Sequence, residues 1–135
     1  MEKIDNEYYV SLEVAKMLKE AGFNWECRKI HFCYVEDDHM WNLEDNHKQA
    51  RRILKLDYCL LAPTLEVAQR WLREVKGWEA QVAYGFDEDG HKTYVTECGN
   101  PEGDLENYIV YFPTYEEAQE AGIKKALELI LEKGE

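Results

Sequence analysis

The stretch Pro63-Thr64-Leu65-Glu66-Val67-Ala68-Gln69-Arg70-Trp71-Leu72-Arg73-Glu74-Val75-Lys76-Gly77-Trp78 constrains the fold more than any other, because it holds a helix start, an apolar stripe and a stop. Thr64 can accept a hydrogen bond from a free N–H of the first turn, and Glu66 lies at the positive end of the helix dipole. Leu65, Ala68, Leu72 and Val75 recur at helical spacing, with Trp71 widening the stripe and Glu66, Gln69, Arg70 and Arg73 covering the outer face. Gly77 suits the left-handed position after the last turn, which sends Trp78 back toward Leu72.

The same grammar opens two more helices. Ser11 caps a helix that ends at Gly22, with Phe23 returning to Leu18, and Thr114 with Glu117 forms a capping box for the last one. That last helix places Ala118, Gly122, Ala126 and Leu129 on one line, with Ile123, Leu127 and Ile130 beside it. A glycine inside a helix costs ~1 kcal/mol relative to alanine, so Gly122 predicts a close neighbour.

Between these helices the period changes from helical to alternating. Arg28 to Val35 predicts a strand with Ile30, Phe32 and Tyr34 on one side and Lys29, His31 and Cys33 on the other. From Leu43 to Lys55 the pattern turns helical: Leu43, His47, Ala50 and Leu54 form a stripe beside the basic strip Lys48, Arg51, Arg52 and Lys55, with Asn42 as cap. Asp57 to Ala62 is a short apolar strand stopped by Pro63.

Glu79 to Phe86 alternates, placing Ala80, Val82, Tyr84 and Phe86 toward the core and Glu79, Gln81 and Gly85 away. Asp87-Glu88-Asp89-Gly90 is a hairpin turn, His91 to Glu97 the return strand, Cys98 to Asp104 a loop and Asn107 to Phe112 a third strand. The expected architecture is therefore α+β. A three-stranded antiparallel sheet, four- or five-stranded if the earlier strands join it, carries three to four helices packed mainly on one face. At 135 residues the chain is expected to form a single domain, 1–135, burying roughly two-thirds of its unfolded surface.

Charge and composition narrow the function classes. The net charge of −12, from 28 acidic and 16 basic side chains, disfavours direct attraction to nucleic acid or to anionic lipid. No run approaches the ~18 apolar residues of a membrane helix, and the first seven residues lack the features of a secretory signal, so the expected location is the cytoplasm. Four cysteines in that setting are expected reduced. Ser11 is the only serine and is a helix cap, and there is no Gly-rich phosphate loop, so serine catalysis and the common nucleotide-binding signatures are absent. No cofactor is expected.

Three readings of function remain. The first is a non-enzymatic protein-interaction module, working as a homodimer or on another protein. It would use the basic strip Lys48, Arg51, Arg52 and Lys55, and Trp41, Trp71 and Trp78 if these exceed what the core absorbs. The second is a metal-binding protein or small enzyme built on His31 and Cys33 with His39 or His47. His31 and Cys33 lie about 6.6 Å apart along an extended strand, whereas Cys27 and Cys33 are ~20 Å apart, too far to share an ion. A cysteine nucleophile drawn from this set lacks any mark of a lowered thiol pKa. The third is an acidic nucleic-acid mimic that occupies a nucleic-acid-binding protein. Against it, the carboxylates fall in short turn-like clusters such as Glu36-Asp37-Asp38 and Asp87-Glu88-Asp89 rather than along one helix face.

Across Ser11 to Phe23, Ala62-Pro63-Thr64 through Val75, and Tyr115-Glu116-Glu117-Ala118 with Gly122 and Leu127 to Ile130, the sequence resembles a family of small proteins without assigned activity. These are encoded by gut Bacteroidales and their phages and mobile elements. The resemblance runs through most of the chain on helix boundaries and core positions, and Cys27 to Asp57 falls outside it. It implies a cytoplasmic, phage-linked protein and brings no functional residues with it.

Overall fold

The computed structural model describes residues 1–33, 41–46 and 59–134. The fold is α+β, and its contacts gather into two compact units, Met1–Thr64 and Leu65–Glu135.

The first unit opens with a hairpin of β1 (Glu2–Ile4) and β2 (Glu7–Tyr9), turned by Asp5 and Asn6 at φ 51° and 65°. Two successive left-handed residues match the twist of a two-residue hairpin, and Asp and Asn tolerate that region better than other side chains do. Helix α1 (Leu12–Glu20) comes next, its start fixed by Ser11 Oγ accepting from the Val14 N–H at 3.3 Å. Its end is fixed by Gly22 at φ 97° and a 2.9 Å bond from the Phe23 N–H to the Leu18 carbonyl, as the sequence grammar predicts. Val14, Ala15 and Leu18 are its buried stripe.

Strand β3 (Lys29–Cys33) is the centre of a three-stranded antiparallel sheet, flanked by β4 (Trp41–Asp45) and β5 (Cys59–Leu61). Ile30 and Cys59 form its buried centre with Phe32 and Leu61 against them. Here the helix expected from Leu43 to Lys55 is corrected at its start. Asn42 to Asp45 are extended, with Leu43 opposite His31 and Lys29 ion-paired to Asp45. Cross-strand pairing with β3 outweighs the helical pattern here, and Asn42, the expected cap, is itself a strand residue opposite Phe32. Residues 47–55 lie outside the described residues.

The second unit begins with α2 (Leu65–Trp71), whose last turn widens into a π segment (Leu72–Lys76) ended by Gly77 at φ 73°. The Trp78 N–H donates to the Leu72 carbonyl at 3.0 Å, the closure that Gly77 predicts. Leu65, Ala68, Trp71 and Leu72 are buried, but Val75 is exposed, because a π turn inserts one residue and rotates the rest of the helix off the stripe. Then come β6 (Glu79–Phe86), β7 (Lys92–Gly99) and β8 (Leu105–Phe112), an antiparallel meander in the order β6-β7-β8 with a register shift between Val95 and Thr96. The earlier strands do not extend this meander; they form their own sheets.

Helix α3 (Tyr115–Glu132) starts where Thr114 accepts from the Glu117 N–H at 3.2 Å, and it packs on one face of the meander. Gly122 meets Thr96 and Ala80 there, and the Cys98 thiol lies 3.4 Å from the Gly122 carbonyl. The close neighbour that a helical glycine predicts is thus Thr96. Among the described residues no helix is long and apolar enough to cross a membrane.

Candidate interaction surface

His31 and Cys33 leave β3 on one face and both are buried. His31 Nε2 lies 2.8 Å from the Val10 carbonyl oxygen, and because a carbonyl only accepts, Nε2 carries the proton and donates. A protonated nitrogen has no lone pair for a metal, so this ring would bind one only through Nδ1. His39 and His47, the other expected ligands, lie outside the described residues.

Among the described residues, the trio of ligand-type side chains whose donor atoms lie within 4.8 Å of one another is instead Asp87, Asp89 and His91, all exposed at the β6–β7 turn. Asp87 Oδ1 already accepts from the Asp89 N–H at 2.9 Å and the His91 N–H at 2.8 Å. That is the work of a turn-closing aspartate.

Two of the four thiols, Cys27 and Cys59, are poorly placed for nucleophilic chemistry. Burial pushes the Cys27 thiol up to about 12. Burial likewise raises Cys59 to about 11, with Lys19 pulling weakly the other way. Cys59 lines a cleft of about 160 Å³ with Ala15, Phe23, Leu60 and Leu61, and Lys19 brings a charge to its wall.

Both raised thiols are protonated at neutral pH, and the thiolate is the reactive form. The native chain should therefore take up iodoacetamide at pH 8 at least about tenfold more slowly than the urea-unfolded chain. Fast native labelling of Cys27 would contradict its burial. The same shift makes stability depend on pH. A thiol whose folded pKa exceeds its unfolded value of 9.0 keeps its full contribution to stability below that value. The contribution is lost as pH rises through the folded pKa, so urea midpoints should fall between about pH 9 and 12, and fall less in Cys27→Ser.

The tryptophans are mostly core. Trp71 is 1% exposed and Trp78 0%, so neither belongs to an exposed patch. Trp41 is half-buried on β4, with Lys16 Nζ 5.6 Å from its ring centroid. The basic strip Lys48, Arg51, Arg52 and Lys55 lies outside the described residues.

Aromatic surface is displayed elsewhere, at the far end of the meander. Tyr84 and Phe86 share the α3 face of β6 with buried Ala80, yet they are 67% and 66% exposed. The expectation that they face the core holds for the side of the sheet but not for burial. Helix α3 begins at Tyr115, whose ring reaches Tyr94 at 6.1 Å, and the strand continues past the helix. Tyr84 and Phe86 meet edge to face at 6.5 Å, and Lys92 Nζ stands 4.7 Å from the Tyr84 centroid and 5.6 Å from that of Tyr94. On the opposite face Leu105, paired with Gly99, and Tyr111, paired with Val95, are 67% and 66% exposed.

No family model, curated protein or solved structure matches this chain. The site is therefore described by its own chemistry: exposed aromatic and aliphatic side chains on both faces of a three-stranded sheet, with acids at its turn. Sequence reasoning missed Tyr84, Phe86, Leu105 and Tyr111 as contact residues, since alternation assigns faces but not where a covering helix ends. It also missed a part-buried amide relay from Gln119 through Gln69. Gln119 Nε2 donates to Gln69 Oε1 at 2.8 Å, and Gln69 Nε2 donates to the Ala80 carbonyl at 2.8 Å. Gln119 lies one residue after the α3 stripe begins at Ala118, a position that widens the stripe, and this was the available signal.

Proposed function

We propose that this chain is a non-enzymatic, cytoplasmic protein-interaction module whose contact surface is the end of the β6–β7–β8 meander bearing Tyr84, Phe86 and Tyr111. The observation that supports it is the exposure of two aromatic side chains on a sheet face that is buried one helix-width away. Apolar area left in water is unfavourable at roughly 25 cal/mol per Å², and aromatic side chains are the residues that most often anchor protein contacts. The raised Cys27 thiol argues in the same direction, since burial disarms one candidate nucleophile.

A photo-crosslinking side chain placed at position 84 or 111 in the native cell tests the reading. The expected result is one or a few discrete protein adducts at these positions, with none from the same group at the exposed helix positions 13 and 66. If the sheet positions give no adduct, or the same smear as the helix positions, the meander is not a contact surface.

A further inference from the structure

We infer that the outer edge of β6 accepts an extended, lysine- or arginine-rich polypeptide segment by strand addition. This rests on the interaction reading and adds the mode of binding and the chemistry of the partner.

The edge is identified by which way its backbone points. The Ala80 carbonyl accepts from the side chain of Gln69 on α2, so Ala80 turns its polar groups away from β7. In an antiparallel pair, residues alternate between those that bond the neighbour and those that point outward, so Val82, Tyr84 and Phe86 point outward with Ala80. Gln69 stands where the N–H of an added strand would stand, and it occupies only the first rung. Among the described residues no strand pairs with the rungs beyond it.

An exposed strand edge is a template for another chain, and proteins ordinarily blunt it with lysine, proline or a bulge. From Glu79 to Phe86 there is no lysine, arginine or proline, and the register shift of this sheet lies between β7 and β8 instead. Successive outward residues are ~6.6 Å apart, so Val82 to Phe86 offers ~13 Å, enough for a segment of about five residues.

Charge selects the occupant. The second unit holds 16 acidic and 7 basic side chains, −9 of the chain's −12. The edge begins at Glu79 and runs out at Asp87, Glu88 and Asp89, all exposed or half-exposed. A second copy would bring the same carboxylates into register with these, whereas a basic segment neutralises them. The aromatic rings here already attract a cation, since Lys92 Nζ sits over Tyr84 and Tyr94.

The test uses the full chain with backbone amides observed by NMR, and three capped decapeptides as probes. One alternates lysine and threonine, one alternates glutamate and threonine, and the third is the lysine peptide N-methylated at every second residue. The expected result in low salt is saturable shifts of the Val82, Tyr84 and Phe86 amides with the lysine peptide. High salt should weaken this about tenfold or more. The glutamate peptide should give no shift, and N-methylation should weaken binding about tenfold, because it removes the donors that pair with the edge. Absence of β6 shifts, equal binding of the N-methylated peptide, or concentration-dependent self-pairing through β6 overturns the inference. Shifts gathered instead on Leu105 and Tyr111 overturn edge addition while leaving the interaction reading intact. Loss of the crosslinks at positions 84 and 111 removes that reading itself.

Discussion

Trp78→Ala is expected to cost the folded chain about 4 kcal/mol, the size of effect seen when a buried tryptophan is truncated and its cavity only partly collapses. Trp78 is fully buried, its backbone N–H closes the preceding helix on the Leu72 carbonyl at 3.0 Å, and Lys133 Nζ covers its ring at 5.4 Å. A domain of this size has ~5–15 kcal/mol in total, so the variant should unfold at a far lower urea concentration or fail to fold. Trp78→Phe provides the control. It keeps most of the apolar volume and deletes a ring N–H that is buried with no partner among the described residues, so its cost should stay near about 1 kcal/mol. Far-ultraviolet circular dichroism during urea unfolding reads both variants. Tyr84→Ser belongs beside them, because an exposed aromatic should move stability by less than about 0.5 kcal/mol. If Trp78→Ala unfolded like the parent chain, Trp78 would belong to the surface after all.

How much of this fold is legible in the sequence depends on how local each signal is. Ser11 with Gly22, Thr114 with Glu117, and Gly77 with Trp78 fix helix ends through hydrogen bonds spanning three to six residues, and the chain carries them in plain order. The meander is equally legible, since Asp87-Glu88-Asp89-Gly90 closes on itself with Gly90 at φ 83°. Where the deciding partner is distant, pattern fails. Leu43 fits a helical period but pairs with His31, twelve residues earlier in the chain. Val75 belongs to the predicted stripe and leaves it only because the last turn is π. The candidate surface was the least legible part. Tyr84 and Phe86 carry the same alternation as Ala80, and what separates buried from exposed is the point at which α3 starts. The three tryptophans, singled out for their bulk, turn out to be two core residues and one half-buried strand residue.

Gly122→Ala sets two effects of opposite sign against each other. Alanine is better than glycine inside a helix by about 1 kcal/mol, so an uncrowded site would be stabilised. Here a Cβ on residue 122 would overlap Thr96 Oγ1, deep inside van der Waals contact, and would sit 3.3 Å from Thr96 Cβ and 3.6 Å from Ala80 Cβ. Thr96 is 2% exposed and its hydroxyl is 3.4 Å from the Gln81 carbonyl, so it cannot swing aside without losing that contact. Rotating its branched Cβ merely presents the methyl in place of the hydroxyl. Helix α3 must then lift from the sheet, which stretches the 3.4 Å approach of the Cys98 thiol to the Gly122 carbonyl. Overpacking of this kind costs about 1–3 kcal/mol or more, so the overlap wins and the net loss should be about 2 kcal/mol. Thr96→Ala in the same chain removes the obstacle, so the double variant should recover most of the loss, whereas Thr96→Val retains a γ atom on each branch and should not. Urea unfolding of the four chains decides it. A Gly122→Ala chain as stable as its parent would mean that α3 does not pack on Thr96, and the face of the meander from which Tyr84 and Phe86 emerge would have to be drawn again.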